Sequence, residues 1–148
     1  MTDETKRMKV SARNQFRGQV TAVEPGAVNA LVRIAIGGGD SLVAVVTLDS
    51  IVALDLEVGR EVVAIVKAPW VMLTTDPALR LSARNQLKGQ VAAVDIGAVN
   101  AEVTLALAGG SEIVSVVTRE AVTELGLAPG VEATAVIKSS SVILGVPA

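Results

Sequence analysis

The sequence has no cysteine, no histidine and no tyrosine, and its aromatic side chains are limited to Phe16 and Trp70. Zero cysteine excludes disulfides and thiolate metal sites. Zero histidine removes the usual general base near neutral pH and the commonest transition-metal ligand, so most hydrolase and metalloenzyme templates fail. There is almost no aromatic surface for base stacking. Thirteen basic against fifteen acidic residues give a formal charge of −2 with no strongly basic stretch, so no nucleic acid is expected as a partner of this chain alone. No apolar run approaches the roughly 18 to 20 residues of a membrane span, and "MTDETKRMKV" lacks the apolar region of a secretory signal. These features predict a soluble, cytoplasmic protein with no membrane partner.

What is present is a chain that is 51 % hydrophobic, mainly through Val, Ala, Leu and Ile. At 148 residues it is one ordinary domain or two very small ones, and two small cores built from such side chains call for close packing and for partners.

The chain is a tandem repeat. "SARNQ" begins at Ser11 and again at Ser82, 71 positions on, and this offset aligns Ser11 to Leu73 with Ser82 to Leu144 without a gap. "GAVNA" recurs at Gly26 and Gly97, Thr47 matches Thr118, and Lys67 matches Lys138. About half of the aligned positions are identical, which marks duplication of a whole folding unit. Each unit reads as β structure. Strands are predicted over Met8 to Phe16 and Gly18 to Val23, then "VNALVRIAI" and "SLVAVVT" around a glycine-rich hairpin turn, and finally "EVVAIVKA" and "WVMLTT". Leu48, Ile51, Val52 and Leu54 at helical spacing behind Thr47 predict one short capped helix, and Gly126 offers the matching helix a left-handed stop. The resulting fold class is all-β: two tandem five-stranded barrels of OB type, each with one short helix. The linker "TDPALR" is so short that the barrels must touch or exchange strands.

Each unit carries one Arg and one Lys where an apolar strand would otherwise continue, Arg13 with Lys67 and Arg84 with Lys138. An ion pair or a solvent-exposed charge beyond an apolar stem accounts for either residue taken singly. As a set they differ, because "SARNQ", "KAPW" and "KSSS" contain donors and no acid. Such a surface suits a small tetrahedral oxyanion, with the helix starts at Thr47 and Thr118 as further donors. "GAVNA" is either a turn into a strand or a close backbone approach to a ligand with the Asn amide donating. No nucleophile and base, and no acid pair, has recognisable spacing, so no enzyme is expected.

"MKVSARNQFRGQV", "GAVNALV" and "VVTLDSIVALDLEVGREVVAIVKAPWVML" resemble the molybdate-binding Mop domain, known from molbindins and from the C-terminal part of molybdate-responsive regulators. The resemblance covers residues 8–74 as a first domain and 79–146 as a second, similar to a tandem molbindin. It implies an OB-like barrel per domain, C-terminal strands swapped between the two, and a homotrimer with oxyanions at interfaces between domains. The implied ligand is intact molybdate or tungstate, with no cofactor and no direct metal ligation. The implied oxyanion-binding residues are Ser11, Ala12, Arg13, Asn14, Thr47, Ser50, Lys67 and Ala68 in the first copy. In the second they are Ser82, Ala83, Arg84, Asn85, Thr118, Lys138 and Ser139. Gly26, Ala27, Val28 and Asn29, with Gly97, Ala98, Val99 and Asn100, would serve a second class of site near symmetry axes. The copies diverge, Ser50 becoming Ala121 and Ala68-Pro69-Trp70 becoming Ser139-Ser140-Ser141, so the sites should differ in affinity. The function implied is cytoplasmic molybdenum storage and homeostasis. The alternative is the ligand-sensing C-terminal part of a molybdate-responsive transcription regulator, for which the stretch before Met8 is too short to supply a helix-turn-helix.

Overall fold

A computed structural model describes residues 9–147. The first repeat runs β1 (Asn14–Pro25), β2 (Asn29–Gly37), β3 (Asp40–Thr47), α1 (Leu48–Ala53), β4 (Glu61–Val66) and β5 (Met72–Thr74). The second repeats this order as β6 (Asn85–Ile96), β7 (Asn100–Leu107), β8 (Glu112–Thr118), α2 (Arg119–Leu125), β9 (Glu132–Ile137) and β10 (Ile143–Gly145). The fold is mostly β, two curled five-stranded antiparallel sheets with a short helix in each repeat. No helix among the described residues is long and apolar enough to cross a membrane.

Three local expectations change. The strands predicted over 8–16 and 18–23 give way to one continuous strand, β1, that begins only at Asn14; residues 9–13 precede it as irregular chain, and Met8 itself lies outside the described residues. Gly18 does not break it, because the residue lies so close to the Ala35 carbonyl of β2 that a Cβ there would collide with it, and Gly89 meets Ala106 in the same way. Trp70 belongs to a 3-10 turn over Ala68–Trp70 and not to the final strand, which begins at Met72. Val52 is 81 % exposed, since a six-residue helix covers the core with one face only, and Ile51 and Leu54 take that face.

The strand order is β10-β4-β1-β2-β3 in one sheet and β5-β9-β6-β7-β8 in the other. Each sheet thus takes one edge strand from the other repeat: Ile143 and Leu144 pair with Ile65 and Ala64, and Met72 and Leu73 pair with Val136 and Ala135. The core is shared accordingly. Alternate residues of β2 (Ala30, Val32, Ile34, Ile36) turn inward, as do those of β7 (Ala101, Val103, Leu105, Leu107). Val32, Ile34 and Leu42 of the first repeat and Leu105, Ile113 and Ile137 of the second belong to one continuous apolar cluster. Two marginal cores are replaced by a single larger one.

Candidate functional site

Strand register assembles the two halves of the candidate site. Asn14 pairs with Val66 and Asn85 with Ile137. Arg13 and Lys67 are the next residues along the chain beyond the first of these pairs, and Arg84 and Lys138 beyond the second. There the ladders end: Arg13 and Arg84 lie in bends, and Ala68 and Ser139 open 3-10 turns. In the second repeat Ser82, Ala83 and Lys138 line one open cavity, floored by Met72 and Leu73 of β5. Ser11, Arg13 and Lys67 are exposed in the first repeat, as are Ser82, Arg84 and Lys138 in the second, so both donor sets face outward.

The repeated pentapeptide divides its work by position. Asn14, although predicted as an oxyanion ligand, is 2 % exposed and uses its amide like a strand residue: Nδ2 donates to the Val114 carbonyl at 2.8 Å, and Oδ1 accepts from the Val114 N–H at 2.7 Å. Asn85 does the same to Val43, at 2.8 and 2.7 Å. Val43 and Val114 lie on β3 and β8, the outer strands of their sheets, so each Asn joins the edge of the other repeat. Gln15 Nε2 donates back to the Ala12 carbonyl at 3.1 Å, and Gln86 Nε2 to that of Ala83 at 2.9 Å, holding the Ser-Ala-Arg segment in a fixed loop. Ala12 packs on Val63 and Ile65, on the side of β4 away from the main core. Ser and Arg are left for the outside.

The two copies present different electrostatics. Arg13 Nη1 donates to Glu102 Oε1 on β7 at 2.9 Å, with the two side chains 52 % and 44 % exposed. Lys67 Nζ stands 5.3 Å from the centre of the Trp70 ring, a cation–π contact that Ser141 cannot offer Lys138. Arg84 lines a cleft with Arg33 and Asp40, beside the cavity of Ser82 and Lys138 rather than inside it. The sequence offered no signal for Glu102 because its partner comes from the other repeat.

Thr47 and Thr118 cap α1 and α2, their Oγ1 atoms accepting from Ser50 N and Ala121 N at 3.1 Å. The Ser50 hydroxyl lies 2.9 Å from that of Thr47. Of the first N–H groups of α1, Leu48 donates to the Val28 carbonyl and Ser50 to Thr47, so the helix start holds fewer open donors than its sequence implies. Thr47 pairs with Asn29, beside the Pro25 end of β1, whereas Arg13 precedes the Asn14 end. These two parts of the implied pocket therefore stand at opposite ends of a 12-residue strand. Thr118 is also removed, though by less, from Asn14's partner Val114, about 13 Å along β8 at about 3.3 Å per residue.

"GAVN" forms a turn in both copies, closed by Gly26 N to the Asn29 carbonyl and Gly97 N to that of Asn100, each at 2.8 Å. Gly26, Ala27, Val28 and Asn29, like Gly97, Ala98, Val99 and Asn100, are all exposed, and Val28 and Val99 are 72 % and 73 % so. In the second copy the turn borders a cleft with Arg119, whose Nη1 donates to the Ala98 carbonyl at 3.3 Å. Among the described residues no cluster of carboxylates is placed to hold a metal ion.

Comparison with known proteins follows the same repeat. The TOBE domain family matches residues 10–73 and 81–144. A crystal structure of the cytoplasmic molybdate-binding protein ModG, in a form with molybdate bound, is 65 % identical with a TM-score of 0.91, over 95 % of this chain and 100 % of that one. Molybdenum transport protein ModE of Azotobacter vinelandii is 52 % identical over 139 residues, which are 94 % of this chain and 52 % of the relative. Molybdenum-pterin-binding protein MopA of Rhodobacter capsulatus is 48 % identical over 142 residues, 95 % of this chain and 53 % of the relative. The chain spans about half the length of these curated relatives. With two matches in tandem over most of its length, the chain belongs to the TOBE domain family, as a pair of Mop-like domains.

Proposed function

We propose that this protein binds molybdate, and tungstate with it, as an intact tetrahedral oxyanion in the cytoplasm, serving molybdenum storage and homeostasis. The observation that carries the reading is the strand register that pairs Asn14 with Val66 and Asn85 with Ile137, so that the Ser11–Arg13 segment and Lys67–Ala68 leave one end of their sheet side by side, as do Ser82–Arg84 and Lys138–Ser139. Similarity to molybdate-bound ModG over the full length of that chain supports it. These segments carry hydroxyl, backbone N–H, guanidinium and ammonium donors; in the second repeat Ser82, Ala83 and Lys138 line one cavity and Arg84 the cleft beside it. Charge-assisted bonds contribute about 1.5 to 3 kcal/mol each, so a few such donors around a dianion give useful affinity without any protein atom entering the metal's coordination shell. The work is binding, not catalysis. Sulfate has the same shape and charge, and its rejection falls to pocket size; tungstate, nearly isosteric with molybdate, is accepted.

A homotrimer completes the pockets. Thr47 and Ser50, and likewise Thr118, stand too far from the Arg–Lys pairs of their own chain to share an anion with them, and a neighbouring chain supplies them. Exposed Val28 and Val99 at the "GAVN" turns suit burial near a symmetry axis, where the second class of site would form. A second reading, the ligand-sensing C-terminal part of a molybdate-responsive regulator, is favoured by the match to about half of ModE. The mass of the native protein in cell extracts separates the two.

The test is calorimetric titration of protein of known solution mass with molybdate, tungstate, sulfate and phosphate. Micromolar or tighter binding of the first two and none of the others is expected, and sulfate binding equal to molybdate would end the storage reading. Arg13→Ala and Arg84→Ala should each weaken molybdate binding at least tenfold. Arg17→Ala, which removes a pairing with Glu61 at 3.7 Å, should leave it within twofold.

A further inference from the structure

We propose that Glu102 sets a difference between the two oxyanion sites: its carboxylate, held on β7 against the Arg13 guanidinium, is a tethered competitor for the dianion at the first site and has no counterpart at the second. The inference rests on Arg13 and Arg84 being oxyanion ligands as read above.

The repeats are superimposable in register here. Glu102 sits opposite Val116 on β8, and its equivalent opposite Val45 on β3 is Leu31. The first repeat therefore offers the second repeat's Arg84 a leucine where the second repeat offers Arg13 an acid. Arg13 Nη1 donates to Glu102 Oε1 at 2.9 Å, a distance at which an arriving oxyanion and the carboxylate claim the same N–H. Among the described residues Arg84 has no carboxylate within ion-pair distance, and the acid in its cleft, Asp40, already accepts from the Gly109 N–H at 3.1 Å. Both partners of the Arg13–Glu102 pair are about half exposed, so the pair is weak enough to be displaced. Glu102 thus acts as a tuner and not a plug: it shifts the concentration at which the first site fills and leaves the site usable. The second repeat's site fills first.

The 148-residue chain carrying Arg84→Ala isolates the first site for calorimetric titration with sodium molybdate. Adding Glu102→Leu, which copies the first repeat, should tighten binding about two- to tenfold, and Glu102→Gln, which keeps the shape and removes the charge, should do nearly the same. Raising NaCl should shrink the gain, because exposed charges are screened. In an Arg13→Ala background, Leu31→Glu should weaken the second site by a similar factor. Unchanged affinity in both Glu102 variants, with Arg13→Ala still abolishing the first site, overturns the competition and leaves the site reading intact. Arg13→Ala titrating like the parent chain overturns both together.

Discussion

A single amide can replace a stretch of sheet when it is aimed at an open strand edge. Asn85 satisfies both the N–H and the carbonyl of buried Val43, and no strand of its own sheet lies on that side. Asn85→Ala leaves two buried backbone groups unpaired, each costing about 1 to 3 kcal/mol, so stability should fall by roughly 2 to 5 kcal/mol in urea denaturation. Gln86→Ala, acting on an exposed loop, should cost much less in the same assay but should weaken oxyanion binding by loosening Ser82 and Ala83. A second residue-scale contrast lies at the helix ends. Gly126 takes the left-handed conformation after α2 (φ 66°), and the first repeat places Asp55 in that region at φ 52°. Asp55→Gly should raise the melting temperature, in proportion to about 0.5 to 1 kcal/mol of relieved backbone strain, as read by differential scanning calorimetry.

At the scale of elements, the edge strands decide what a repeat can do alone. Removing residues 143–148 takes away β10 and uncovers the outer edge of β4, so the loss should appear in the other repeat. Hydrogen exchange should accelerate at Val63 and Ile65 while β7 keeps its protection. This reach was only partly legible in the sequence. The repeat, the helix caps at Thr47 and Thr118 and the alternating strands are local signals, and they appear where the residues dictated them. Which repeat receives a three-residue strand depends on the path of the linker, and no residue of "MLT" or "ILG" encodes its partner. The same reasoning explains the candidate site. Arg, Lys and Ser stood out because they interrupt apolar strands, whereas Asn14, Asn85 and Glu102 act on residues of the opposite repeat, and their roles emerge only with the fold.

For the whole molecule, exchanged strands, reciprocal Asn amides and one continuous core make the two repeats a single cooperative unit. Thermal unfolding should show one transition with equal calorimetric and van't Hoff enthalpies, and two separate transitions would contradict this coupling. An asymmetric ion pair on a nearly symmetric frame has its effect at this scale too. Equal donor sets with unequal neighbours spread uptake over a wider range of oxyanion concentration than two identical sites would. The exchanged strand also imposes an order on synthesis. The edge of β4 has to wait, open, until residues 143–145 have left the ribosome, after all of the second repeat's other strands. The first repeat is thus made first and finished last, and a chain stalled short of Ile143 should be cut by protease within the half that was translated earliest.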